Sequence, residues 1–262
     1  MEEDLNLNKS ADLFPEESLK ELVEAGVFYG RKKSKVNPKM KTYVLMNRGG
    51  IEIINLYKTL ESMEKAIAFV REKMKGGGFP LVVATQPAAH QLIDMAKESG
   101  FPYVAKRWLG GTLTNFRIIT QRINYFKKLK ADMAAGVFEK YTKKERVKIE
   151  SEIERMTDFF GGLETLNRLP DFVIAVDSNL HSTAVREAKR MKIPTVVFAN
   201  IDSNPDELDY LVPGNNKSRK SIGWFLGEIK KAIEEGKKAF EMTPKMEVSG
   251  EKAAVISKEI GL

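Results

Sequence analysis

The sequence predicts an α/β fold: a parallel sheet covered by helices on both faces, with an antiparallel helical hairpin inserted into it. Leu81-Val82-Val83-Ala84, Phe172–Val176 and Thr195–Ala199 are short, wholly apolar runs, the pattern of strands buried on both sides. Amphipathic helical stretches flank these runs, and strands alternating with helices assemble into parallel layers with right-handed crossovers. The long interval between Ala84 and Phe172 carries two further apolar stripes at helical spacing, the two arms of the hairpin.

Each element has its own signals. Pro15 to Ala25 reads as a short helix: proline suits a first turn, Leu19, Leu22 and Val23 form an apolar face, and Gly26 ends it. The basic stretch from Arg31 to Lys41 has no apolar period and contains Asn37-Pro38, so it reads as a loop. Tyr43–Met46 and Ile51–Ile54 read as two strands joined by the turn Asn47-Arg48-Gly49-Gly50. Leu60, Met63, Ile67, Val70 and Met74 recur at steps of three and four, an amphipathic helix. Pro87 opens another, with Leu92, Met95 and Ala96, which Gly100 closes.

In the hairpin, Phe116, Ile119, Ile123 and Phe126 mark the first arm and Ile149, Ile153, Met156 and Phe160 the second. Thr142-Lys143-Lys144-Glu145 is a capping box for the second arm. Gly161-Gly162 end that arm, and Asp132 to Phe138 connect the two. Val185, Ala188 and Met191 lie on a later helix, and a last helix spans Lys217 to Lys238 with Ile222, Phe225, Leu226, Ile229 and Ile233 inward. The expected organisation is an α/β domain over 14–111 and 163–240, a helical hairpin over 112–162, and flexible termini at 1–13 and 241–262.

Charge narrows the function. The net charge is +7, with 43 basic and 36 acidic residues. Arg31, Lys32, Lys33, Lys35, Lys39, Lys41 and Arg48 fall in a stretch without Asp or Glu. So do Lys106, Arg107, Arg117, Arg122, Lys127, Lys128 and Lys130. Each stretch carries +7, so the remaining 29 basic and 36 acidic residues leave the rest of the chain at −7. Positive charge gathered in two places on an otherwise negative chain is the pattern of a polyanion-binding surface, whereas solvated faces mix both signs. With no cysteine, disulfides and thiolate metal sites are excluded. The acidic start carries no secretion-signal pattern, and no apolar run reaches the length of a membrane span.

Catalytic patterns are scarce. Gly76-Gly77-Gly78 precedes its strand instead of following it, and Thr85-Gln86-Pro87 after the strand offers no glycine for a phosphate to approach, so the dinucleotide fingerprint is missing. No GxxxxGK[ST] motif occurs. Gly110-Gly111 forms either a tight turn, the preferred reading, or an anion nest beside Arg107, Trp108 and Asn115. His90 and His181 have no second histidine or cysteine at ligand spacing, so no metal and no catalytic residue is assigned. Asp177, Asp202, Asp206 and Asp209 stand near strand ends, where enzymes of this class place catalytic groups. Aspartates there also make turns, the preferred reading, as in Ser203-Asn204-Pro205-Asp206.

An ordered series of motifs carries a resemblance: Ala25-Gly26-Val27-Phe28-Tyr29-Gly30, Asn37-Pro38-Lys39-Met40, and Ile53-Ile54-Asn55-Leu56 with Lys58-Thr59. Arg107-Trp108-Leu109-Gly110-Gly111-Thr112-Leu113-Thr114-Asn115-Phe116 follows, then Gly161-Gly162, Leu169-Pro170-Asp171, Pro205 and Pro213-Gly214-Asn215. Together they resemble the bacterial form of the universal second family of small-subunit ribosomal proteins, over roughly Phe14 to Phe240. The resemblance implies a Rossmann-like α/β domain with a protruding helical hairpin. It implies a cytoplasmic, non-catalytic constituent of the small ribosomal subunit, near its head–body junction, that binds rRNA, supports translation and needs no cofactor.

The implied partners are small-subunit rRNA, neighbouring small-subunit proteins, and the large first small-subunit protein that captures messenger RNA, with no membrane and no small-molecule substrate. The residues expected to meet rRNA are Arg31, Lys32, Lys33, Lys35, Asn37, Lys39, Lys41, Arg48, Lys106, Arg107, Trp108, Asn115, Arg117, Arg122, Lys127 and Lys128, by phosphate neutralisation and recognition of shape. Trp108, Tyr43 and Tyr125 either stack on bases or pack internally. Phe28 and Arg31 stand where that family often has histidines, and Gln86-Pro87 where it often has Lys-Arg; nothing is carried over at Asn200–Asn204. Two rival readings stand: a sugar-phosphate or nucleotide-binding enzyme on a similar fold, whose basic residues would converge at the carboxyl edge of the sheet, and a free-standing RNA-binding protein or chaperone outside the ribosome.

Overall fold

A computed structural model describes residues 15–242. The termini expected to be flexible lie outside the described residues, except Glu241 and Met242, which extend the last helix. In chain order the elements are α1 (Glu16–Glu24), β1 (Tyr29–Lys32), β2 (Val44–Arg48), β3 (Ile51–Ile54), α2 (Leu56–Lys75) and β4 (Pro80–Val83). Then come α3 (His90–Glu98), β5 (Tyr103–Val104), α4 (Phe116–Ala134), α5 (Lys143–Phe160) and β6 (Phe172–Val176). The series ends with α6 (Ser182–Arg190), β7 (Thr195–Ala199), β8 (Tyr210–Pro213) and α7 (Arg219–Met242). Among the described residues no helix is long and apolar enough to cross a membrane.

Five strands form a parallel sheet in the order β5-β4-β6-β7-β8. The order reverses between β4 and β6, which makes the carboxyl ends of those two strands a topological switch point. Alternate strand residues build two cores, because successive side chains leave a strand on opposite faces. Val82, Ile174, Val196, Phe198 and Val212 pack with residues of α2, α3 and α7, including Val70, Leu92, Phe225 and Ile229. Leu81, Val83, Val173, Ala175, Val197 and Ala199 pack on the other side with Ala184 and Ala188 of α6 and with Leu113, Ile119 and Phe160 at the hairpin's base.

A second, three-stranded antiparallel sheet has the order β1-β3-β2 and lays Ile54 against that second core. The hairpin, α4 and α5, closes on Ile119, Ile123, Phe126 and Leu129 from one arm and Met156 and Phe160 from the other. Its capping box is formed: the Glu145 N–H donates to Thr142 Oγ1 at 3.4 Å and the Thr142 N–H to Glu145 Oε2 at 3.0 Å. Burial fades toward the tip, where residues 141–148 are exposed.

Three strands have no counterpart in the sequence reading. Tyr103-Val104 and Tyr210–Pro213 are short edge strands of the parallel sheet, and β8 ends on a proline that an edge tolerates. The stretch read as a loop from Arg31 is partly ordered: Arg31 and Lys32 end β1, and Lys33–Lys35 and Pro38–Tyr43 are 3-10 turns. Local pattern is blind to β1 because its pairing with β3 is supplied by residues some twenty positions away.

Candidate nucleic-acid interface

The first basic segment divides into engaged and free cations. Arg31 turns toward the carboxyl edge of the parallel sheet, where Nε donates to Asp202 Oδ2 at 3.1 Å and a terminal nitrogen donates to Asn216 Oδ1 at 2.8 Å. Both side chains of the ion pair are about one-fifth exposed, at 21% and 22%, so Arg31 is less open than a solvated loop residue. Asn37 accepts from the Lys39 N–H at 3.0 Å, and its own N–H donates to the Ile201 carbonyl at 2.9 Å. Lys39 pairs with Asp206. Lys32, Lys33, Lys35, Lys41 and Arg48 are exposed, and none has a carboxylate partner among the described residues.

The second segment divides in the same way. Lys106 pairs with Asp158 at 3.1 Å, and Lys130 with Glu164 at 2.8 Å. Arg107, Arg117, Arg122 and Lys128 are exposed and Lys127 is half-buried, all without a carboxylate partner among the described residues. Asn115 precedes α4 with an exposed side chain that makes no capping bond. Of the three rings expected either to stack or to pack, Tyr43 and Trp108 lie against the second core. Tyr125 is exposed on α4, its hydroxyl 3.4 Å from Glu152.

The loop from Trp108 to Thr114 wraps a carboxylate. Glu187, a buried residue of α6, accepts from Trp108 Nε1 at 3.1 Å and from the Gly111 N–H at 2.8 Å on one oxygen. The other oxygen accepts from the Leu113 N–H at 3.0 Å and from the Thr114 N–H and hydroxyl, each at 3.2 Å. Gly111 has φ +91°, a conformation glycine adopts without strain. The amides of Gly111, Leu113 and Thr114 turn inward on the carboxylate, while that of Thr112 bonds back to the Leu109 carbonyl. Burial by itself would raise the Glu187 carboxyl. The bonds from Trp108 and from the amides of Gly111, Leu113 and Thr114 outweigh it and hold the group below the ordinary carboxylate range. The glycine pair therefore makes both a tight turn and an anion nest, and the anion is the protein's own.

Sequence reasoning missed Glu187. The available signal was its place three residues after Ala184 and four before Met191, on the apolar stripe of α6.

At the switch point, groups that an enzyme would expose are turned on one another. His181 is buried, with Nδ1 3.0 Å from the Asp177 carbonyl and Nε2 3.1 Å from the Thr85 hydroxyl. Burial lowers its pKa, more than the hydrogen bond to Asp177 raises it. Asp177 pairs with Lys217 at 2.9 Å, and the Asp202 pair with Arg31 fills the neighbouring edge. The Asn204 side chain accepts from the Asp206 N–H at 3.3 Å, the turn role expected of that segment. Among the described residues no group of three or more His, Cys, Asp or Glu could hold a metal.

The two basic segments share one layer. Val36, Met40 and Tyr43 anchor the first in the second core, and Trp108, Leu113 and Phe116 anchor the second in that same core. Asp206 links them: its carboxylate pairs with Lys39, and its carbonyl accepts from Lys189 of α6, the helix whose Glu187 holds the second loop.

A sequence profile described as ribosomal protein S2 matches residues 22–236, through both segments and the nest. The chain belongs to the ribosomal protein S2 family. Relatives of the same family, each called small ribosomal subunit protein uS2, include one from Thermus thermophilus, 41% identical over 210 residues, covering 80% of this chain and 82% of the relative. One from Dehalococcoides mccartyi is 37% identical over 241 residues, covering 92% and 98%. One from Bdellovibrio bacteriovorus is 39% identical over 243 residues, covering 92% and 77%. For an S2-family chain the Arg107–Phe116 motif has a clear physical role: it is the socket that fastens the hairpin's root to α6.

Proposed function

We propose that this S2-family chain is a structural, non-catalytic constituent of the cytoplasmic small ribosomal subunit that supports translation by holding rRNA. The observation that carries the reading is the placement of two acid-free basic segments on one layer of the fold, tied together through Asp206 and α6. Lys32, Lys33, Lys35, Lys41, Arg48, Arg107, Arg117, Arg122, Lys127 and Lys128 neutralise phosphates and release counterions. Arg31, Asn37, Lys39, Lys106, Trp108 and Asn115 order the segments that carry them, with Arg31 and Asn115 keeping donors for RNA.

The hairpin of 112–162 is the arm of this interface, and the α/β domain of 14–111 and 163–240 is its body. Other small-subunit proteins are its neighbours, among them the large first small-subunit protein that captures messenger RNA. The enzyme alternative has no observation in its favour: at the carboxyl edge Asp177 is paired with Lys217, Asp202 with Arg31, and His181 contacts Thr85.

Sucrose-gradient sedimentation of the tagged chain tests the reading. The chain is expected to travel with small subunits and to leave them at high salt. A chain that stays at the top of the gradient at low salt overturns it.

A further inference from the structure

The three-stranded sheet has an outward face that the ion pairs and cores leave uncovered. Residues directly opposite one another in antiparallel strands project to the same side. On β3, Ile53 lies between Tyr29 of β1 and Met46 of β2, and Ile51 lies between Lys32 and Arg48. The opposite face carries Glu52 and Ile54, both buried against the body. Two rows thus face outward side by side, one apolar (Tyr29, Ile53, Met46) and one ending in cations (Lys32, Ile51, Arg48). Tyr29 is 49% exposed and Met46 55%, on the two edge strands that flank the half-buried Ile53, so the row forms an open apolar ridge.

Resting on the RNA reading above, we infer that this face takes an unpaired nucleotide of RNA, its base against the Tyr29 row and its phosphate against Lys32 and Arg48. The Tyr29 ring is already held by the Phe28 ring, with centroids 4.2 Å apart. Little rotamer freedom is lost when something stacks on it. The rows are two residues apart along β3, about 7 Å at the usual strand rise, a separation that suits a base and its own phosphate. No acidic residue occurs from Arg31 through Ile51, so the face repels nothing in a polyanion. A single nucleotide carries both a π face and a negative charge and so matches both rows, whereas a protein partner would have to bring carboxylates to the edge of an apolar ridge. Aromatic residues on sheet faces stack bases with little sequence preference.

The test uses the full chain and an RNA stem-loop with one bulged 2-aminopurine, beside the same stem fully paired. The wild-type chain is expected to quench the bulged fluorophore and to prefer the bulged RNA. Tyr29→Leu keeps apolar area and should abolish the quench and weaken bulged-RNA binding about tenfold, with paired-RNA binding unchanged. Tyr29→Phe should restore both. Lys32→Ala and Arg48→Ala should each lower the salt slope by about one. Matching melting temperatures establish that the variants are folded. The inference is overturned by equal binding of the two RNAs, or by a quench that survives Tyr29→Leu. It is also overturned if Tyr29→Leu subunits lose a neighbouring protein while RNA binding is intact, since the face is then a protein contact. A chain that sediments with subunits but fails here overturns this inference alone. A chain that does not sediment with them overturns the ribosomal reading itself.

Discussion

The carboxylate of Glu187 meets the indole nitrogen of Trp108 at 3.1 Å across 79 positions of sequence. It is one of five donors converging on that carboxylate, three of them backbone amides. Removing the acceptor strands donors that are poorly placed to find water. Glu187→Ala is therefore expected to cost about 3 kcal/mol or more, and Trp108→Phe about 1–2 kcal/mol. Urea unfolding measures both, and equal losses for the two variants would contradict the converging arrangement.

Acid should destabilise the protein through two groups whose windows open at different pH. Burial lowers the pKa of His181, so the folded state resists its protonation. The stability this group contributes is fully present above the ordinary value of 6.5 and is lost as pH falls from there through the lowered folded value. For Glu187, burial opposes ionisation but the hydrogen bonds prevail, and the folded pKa is again lowered. Its contribution is present above the ordinary 4.5 and lost as pH falls through the folded value. Urea midpoints taken across pH should flatten in the upper window for His181→Gln and in the lower one for Glu187→Gln.

Neighbouring cations should separate by what they hold. Arg31→Ala leaves Asp202 and Asn216 without their donor and is expected to lower stability by about 1–3 kcal/mol. Lys33→Ala and Lys35→Ala alter exposed side chains and should change stability by less than about 0.5 kcal/mol. Each should lower the slope of log binding constant against log salt by about one. Unfolding and filter binding on the same three variants decide the matter, and a large stability loss at Lys33 would contradict the assignment.

The hairpin should show the same division between its inner and outer faces. Phe126 is fully buried between the arms, and Phe126→Ala is expected to cost about 3–5 kcal/mol. Arg122→Ala and Lys128→Ala lie on the exposed face and should weaken RNA binding with the melting temperature unchanged.

Most of the architecture is legible because buried strands and amphipathic helices write their burial into short, regular patterns. Phe172–Val176 and Thr195–Ala199 are read to the residue, and the Thr142–Glu145 box marks its helix start correctly. The elements that escape reading depend on partners far along the chain. β1 is held by β3, and Tyr103-Val104 becomes a strand only beside β4.

Among the expected interface residues, charge alone could not separate Arg31, which Asp202 engages, from Lys33, which nothing acidic engages among the described residues. Glu187 hides because one carboxylate in a charged helix resembles any other until the loop around it is seen.

The Trp108–Thr114 socket has a consequence for synthesis. Glu187 is translated only after both arms of the hairpin, so a nascent chain that has completed α5 still lacks the peg that secures their root. The arms can close early through local contacts, while the bonds that tie their root to α6 form only after Glu187 has been made. Fastening of the arm's root therefore waits on a helix that follows both arms in the chain.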